Sequence, residues 1–144
     1  MEQPRKNHRG ETILVVEDAE PVRRMVTTML AQSGYQCLEA PDGNEALALL
    51  DTRREPVHLV LTDLLMPKMS GTELAEHLSR LRPELPIVFM SGYTDDPVVM
   101  TIGRTRGNFL AKPFTAGALL DKVRQVLSER PGGPQALSSG SGTR

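Results

Sequence analysis

The chain of 144 residues has no tryptophan, 3% aromatic residues and a single cysteine, Cys37. One cysteine excludes an internal disulfide framework and fits a reducing compartment, and on an apolar stretch it reads as a small buried hydrophobe rather than a catalytic thiol. An excess of charge of one sign is lacking too. Lys and Arg number 17 against 18 Asp and Glu, and a net charge of -1 provides no overall field to draw the protein to nucleic acid or an anionic membrane. No apolar run approaches the roughly 20 residues of a membrane span, and the opening "MEQPRKNHRG" lacks the apolar centre of a signal peptide. These absences predict a cytoplasmic protein with no direct nucleic-acid contact and no membrane insertion. His8, His58 and His77 have no metal-ligand spacing.

What the chain does have is apolar material for one core, 39% of its residues, and a repeating pattern. The polar stretch 1–11 and the Pro-, Gly- and Ser-rich "PGGPQALSSGSGTR" over 131–144 read as flexible ends, the second as a tail or linker, around a folded body at 12–130. "TILVVED" is too short for a helix and too uniformly apolar for a half-exposed strand, which predicts a strand buried on both faces. Pro21 then suits a first helical position, and Val22, Met25, Val26, Met29 and Leu30 recur at helical spacing before Gly34. "YQCLEA", "VHLVLTD", "PIVFMS" and "NFLA" repeat the strand signal.

Helices are expected after each strand. Asn44 is expected to cap the second, Ser70 with Glu73 has capping-box spacing for the third, Asp96 and Pro97 suit a short fourth, and Thr115 can cap the last. Five strands alternating with helical segments argue for a parallel sheet covered on both faces, an α/β doubly wound fold, because parallel neighbours need crossovers.

In such sheets ligands bind at the carboxyl ends of the strands. The first strand ends in Glu17 and Asp18, the third in Asp63, the fourth in Ser91 and the fifth in Lys112, followed by Pro113. Each has an ordinary explanation, as helix start, turn or solvated charge. Jointly they predict a site, because crowded carboxylates repel unless a cation neutralises them, and hard oxygen donors without a Cys or His cluster point to Mg²⁺. A carboxylate beside Mg²⁺ and a lysine can attack a phosphoryl group, leaving an aspartyl phosphate.

At these residues the sequence resembles the receiver domain of bacterial two-component response regulators. "LVVEDAEPVR", "LVLTDLLMPKMSG", "FMSGYTDD" and "FLAKPF" occur in the family's order over about residues 12–128. The resemblance implies a flavodoxin-like five-stranded sheet of order 2-1-3-4-5 flanked by five helices, and phosphorylation of Asp63 by a sensor histidine kinase or histidine phosphotransfer protein. It also implies Mg²⁺ held by Asp18, by Asp63 and by the backbone carbonyl of Leu65, with Glu17 acting through water. Lys112 and Ser91 would hold phosphate oxygens, Gly92 would leave room for the donor, and Ser91 with Phe109 would form the switch. The domain would thus be a signalling phosphoacceptor, not an enzyme in the usual sense, though one that promotes its own phosphorylation and dephosphorylation.

The wording "PIVFMSGYTDD" is similar to receivers fused to hybrid sensor histidine kinases. Departures from familiar members are Glu17 in place of an aspartate, Phe109 in place of a tyrosine, and Leu65 and Tyr93 at positions that influence phosphoaspartate lifetime. Two other functions compete. A phosphatase of the haloacid dehalogenase type needs an aspartate two residues after its nucleophile, where this chain has Leu65. A pseudo-receiver that binds partners without phosphorylation is opposed by the complete acidic, hydroxyl and lysine set. A helix-turn-helix output does not fit in the few residues after 130.

Overall fold

The structure, a computed structural model, describes residues 10–92 and 108–129. Five strands form one parallel sheet: β1 (Thr12–Val16), β2 (Gln36–Ala40), β3 (Leu59–Asp63), β4 (Ile87–Ser91) and β5 (Phe109–Ala111). Their spatial order is β2-β1-β3-β4-β5, as the family resemblance implied. Four helices lie among the described residues: α1 (Glu20–Gln32), α2 (Gly43–Thr52), α3 (Gly71–Leu81) and α4 (Ala116–Glu129). The helix expected after Pro97, together with Tyr93, lies outside the described residues.

Strand parity sorts the core. Ile13, Val15, Leu59 and Leu61 pack with Val26 and Leu30 of α1 and with Leu119 and Val123 of α4. Leu14, Val16 and Val60 point the other way, onto Ala46 and Leu50 of α2 and Leu74 and Leu78 of α3. Both faces of β1 and β3 are therefore covered and every residue of the two strands is buried, the condition under which an uninterrupted apolar run is stable as a parallel strand. Burial of such side chains stabilises by about 1.5–3 kcal/mol each relative to exposure, so this sheet is the rigid frame of the molecule.

Helix ends follow local chemistry. The Ser70 side chain accepts from the Glu73 N–H while the Glu73 carboxylate accepts from the Ser70 N–H, a reciprocal capping box at α3. Thr115 Oγ1 accepts from the Ala118 N–H, 3.0 Å away, at the start of α4. At α2 the cap is Asp42, whose Oδ1 accepts from Glu45 N at 2.9 Å, and Asn44 lies inside the helix. Helix α1 has Ala19 at its N-cap and no side-chain cap, with Pro21 in its first turn. It ends before Gly34, whose φ of 99° turns the chain into β2.

Candidate functional site

The chain leaves β1 for β2 on one side and returns to β3 on the other, so a crevice opens beyond the ends of β1 and β3. Register aligns the residues there. Val16 is paired with Thr62, which brings Glu17 beside Asp63, and Ser91 is paired with Ala111, which precedes Lys112. Parity adds direction: Glu17, Asp63 and Lys112 continue the alternation of Val15, Leu61 and Leu110, all on the α1 and α4 face.

The three side chains meet. Lys112 Nζ donates to Glu17 Oε1 and to Asp63 Oδ2, each at 3.1 Å. Asp18 completes an acidic group in which Glu17, Asp18 and Asp63 each offer an oxygen, all within 4.8 Å of one another. Glu17 and Asp63 are 2% and 7% exposed, whereas Asp18 is exposed to solvent. Burial first, and then the Asp63 charge, raise the Glu17 carboxyl above its ordinary value, against the Ala19 N–H and Lys112. Burial works against the Lys112 ammonium, but the Asp63 and Glu17 carboxylates outweigh it and hold its pKa above the usual lysine value. Three carboxylates beside one ammonium leave a local excess of negative charge, and clustered hard oxygens of this kind suit a divalent cation.

Neighbouring backbone fixes these groups. Glu17 Oε2 accepts from Ala19 N at 3.2 Å, and Asp63 Oδ1 accepts from Leu65 N at 3.3 Å. Leu64 N bonds the carbonyl of Met90, and Gly71 N bonds that of Leu64, so the loop after β3 folds back over the strand end. Gly71 is required for that return, because a β carbon there would stand 2.2 Å from the Asp63 carbonyl oxygen. The Lys112–Pro113 peptide is cis. A cleft of about 740 Å³ opens onto Asp63 and Lys112, lined also by Val22, Met25, Leu65 and Phe114. The Leu65 side chain is 48% exposed at its rim. Among the described residues, a β carbon on Gly92 would meet Lys112 Cβ alone, at 3.9 Å, an ordinary contact distance.

Ser91 and Phe109 lie on the neighbouring strands β4 and β5. Ser91 is 1% exposed at the end of β4, and its carbonyl accepts from Lys112 N at 2.9 Å. Phe109 is paired with Phe89 and packs with Leu64, Ala75 and Phe89. Ser91 and Phe109 thus share the parity of Phe89, on the face opposite Glu17, Asp63 and Lys112. A further residue escaped the reading of the sequence. Arg23 Nη1 donates to the Glu17 carbonyl at 2.7 Å and Nε to Glu39 Oε1 at 3.0 Å, and no local pattern signals a pair 16 positions apart.

Known proteins resemble this chain in sequence and fold. The family of the response regulator receiver domain matches residues 13–124. The chain is 32% identical over 120 residues to the sensor kinase CckA of Brucella abortus, covering 83% of this chain and 13% of that protein. It is 33% identical over 131 residues to the phosphate regulon transcriptional regulatory protein PhoB of Pseudomonas aeruginosa, covering 88% of this chain and 56% of that one. Both kinds of parent protein are therefore matched almost equally, and the chain spans only part of either. Among solved structures, the response regulator protein TrrA of Thermotoga maritima in complex with Mg²⁺-BeF is similar at a TM-score of 0.69 and 26% identity, covering 81% of this chain and 98% of that one. A parallel sheet of this order, an acidic cluster with its lysine at the β1–β3 crevice, and a family match along most of the sequence lead to one assignment: the chain belongs to the response regulator receiver domain family, the phosphoacceptor module of two-component signalling.

Proposed function

We propose that Asp63 is the phosphoacceptor, within a receiver unit spanning residues 12–130. The observation that carries this reading is the double contact of Lys112 Nζ with Asp63 and Glu17, beside Asp18, at the mouth of an open cleft. An Asp63 carboxylate oxygen attacks the phosphorus of a phosphohistidine; the P–O bond forms as the P–N bond breaks, and the electron pair leaves on the imidazole nitrogen. Lys112 is near enough to exchange its carboxylate contacts for a phosphoryl oxygen, and the Leu65 N–H orients Asp63 through Oδ1. Ser91 supplies a hydroxyl to another oxygen by moving inward, and Phe109 turns into the space it leaves.

Asp18, Asp63 and the Leu65 carbonyl, with Glu17 through water, are the residues that would hold Mg²⁺, and the clustered hard oxygens fit it. When bound, the ion neutralises charge on the transferring phosphoryl group. The Mg²⁺-BeF held by the similar TrrA protein supports this reading. The partner that delivers the phosphoryl group is a sensor histidine kinase or a histidine phosphotransfer protein, docking at the cleft; the relatives' membership of kinases and regulators supports this. Leu65, where a haloacid dehalogenase phosphatase needs its acid–base aspartate, opposes hydrolysis of free phosphomonoesters.

Intact-protein mass after incubation with acetyl phosphate and Mg²⁺ tests the proposal. One phosphoryl adduct is expected on the parent, none on Asp63→Asn, because an amide is a poor nucleophile, and little in excess chelator. Undiminished labelling of Asp63→Asn would put the site elsewhere, and an unlabelled parent would favour a phosphorylation-independent binding module.

A further inference from the structure

We infer that Arg23 is a positioning residue that sets the cation affinity of the acidic pair by fixing the peptide between Glu17 and Asp18. The inference rests on the Mg²⁺ reading above. Its ground is the forked contact of one guanidinium: Nη1 donates to the Glu17 carbonyl at 2.7 Å and Nε to Glu39 Oε1 at 3.0 Å. The Arg23 side chain is 14% exposed against 40% for Glu39, so the fork is held in a largely enclosed position by a partner at the end of β2. Such a planar, charge-assisted contact restrains orientation in a way that a single ammonium does not.

The peptide needs that restraint. No side chain caps α1; the segment from Glu17 to Ala19 is held at its two ends, by Glu17 N on the Ala40 carbonyl and by Ala19 N on Glu17 Oε2, and the carbonyl between them is held by Arg23. Asp18 is exposed, and among the described residues its carboxylate has no hydrogen-bond partner, so its direction is inherited from the backbone. Pinning the Glu17 carbonyl fixes the rotation on either side of that peptide. It thereby sets Asp18 against Glu17 and Asp63, the group whose oxygens lie within 4.8 Å of one another.

Charge makes the inference decidable, because a guanidinium this near the site repels a divalent cation. Glu39 compensates it in the parent. If Arg23 acted only through its charge, removing it would tighten cation binding. If it acts through position, removing it loosens binding.

The test is a Mg²⁺ titration of the full chain followed by ¹H–¹⁵N NMR, with no phosphodonor. The parent should show saturable shifts at Asp18 and Asp63, and Asp18→Asn should lose most of the affinity. Arg23→Ala should weaken binding by about ten-fold or more, the scale of one charge-assisted hydrogen bond. Arg23→Lys, which keeps the charge and leaves the fold unburdened, should weaken it in the same direction, because one ammonium cannot serve both the Glu17 carbonyl and Glu39. Equal or tighter binding by Arg23→Ala, or parent affinity in Arg23→Lys, overturns the inference and leaves the Mg²⁺ reading intact. A parent without saturable shifts overturns both.

Discussion

Lys112 Nζ lies 3.1 Å from Glu17 Oε1, although 95 positions of chain separate the two residues. The pair exists because β1 and β5, with β3 and β4 between them in the sheet, both end at the same level with the same parity. It does not fully compensate Glu17, whose carboxyl stays raised by burial and by Asp63.

That raised carboxyl gives a stability prediction with a definite sign. A group whose folded pKa lies above its unfolded value contributes stability that is present below the unfolded pKa, 4.5 here, and lost as the pH rises through the folded value. In chelator, Glu17→Gln should therefore melt close to the parent near pH 4 and above it at pH 7, with the gap widening between. Melting curves at several pH values measure it. A gap that narrows toward neutrality would mean that the Lys112 contact, not desolvation, dominates at Glu17.

Gly71 and Gly43 should respond differently to alanine. At Gly71 the added carbon meets backbone, the Asp63 carbonyl oxygen at 2.2 Å and Leu64 Cα at 2.9 Å, neither of which can swing aside. Gly71→Ala should cost about 3 kcal/mol in urea unfolding and disturb the Asp63 loop, at the upper end of overpacking effects. At Gly43 the carbon meets the flexible Met69 side chain, so Gly43→Ala should cost about 1 kcal/mol or less. Equal costs would show that the loop after β3 yields more readily than its hydrogen bonds suggest.

Ser91 and Phe109 share a sheet face on neighbouring strands, which gives the proposed switch a short path. Ser91→Ala should still be labelled at Asp63 to a reduced extent, while beryllofluoride with Mg²⁺ should no longer shift the Phe109 resonances as it does in the parent. Parent-like shifts around Phe109 in this variant would sever the link between the two residues.

Cys37 should alkylate slowly at ordinary pH. Burial and then Glu39 push its thiol up to about 11, and its Sγ–H donates to the Thr27 carbonyl at 3.7 Å. Because the thiolate is the nucleophile, the rate with iodoacetamide should keep rising through pH 9 and 10, where an ordinary thiol levels off. A plateau near pH 9 would show the thiol to be more open than its strand position indicates.

Much of this molecule was legible in sequence because the signals were local. The Ser70–Glu73 box needs only a spacing of three, and the apolar runs of β1 and β3 announce strands covered on both sides. Gathering Glu17, Asp18, Asp63 and Lys112 took one more step, the rule that strand ends in a parallel sheet share an edge. What stayed hidden depended on distant contacts. Asp42 and Asn44 are equal as caps in isolation, and α2 begins at Gly43, where Met69 from another loop packs. Arg23 meets Glu39 only because α1 is laid against β2. The opposite facing of Ser91 and Lys112 follows from register, which no stretch of sequence states alone.

That parity makes the sheet a partition. Glu17, Asp63 and the Lys112 ammonium lie on one side of it, while Ser91 and Phe109 belong to the other, so the proposed switch would have to carry its signal from Asp63 around the tip of β4. A strand tip is a narrow place for such traffic. Lengthening or shortening β4 by one residue would transfer Ser91 to the wrong compartment while leaving every acidic group where it was, yielding a protein that accepts its phosphoryl group and tells nothing downstream.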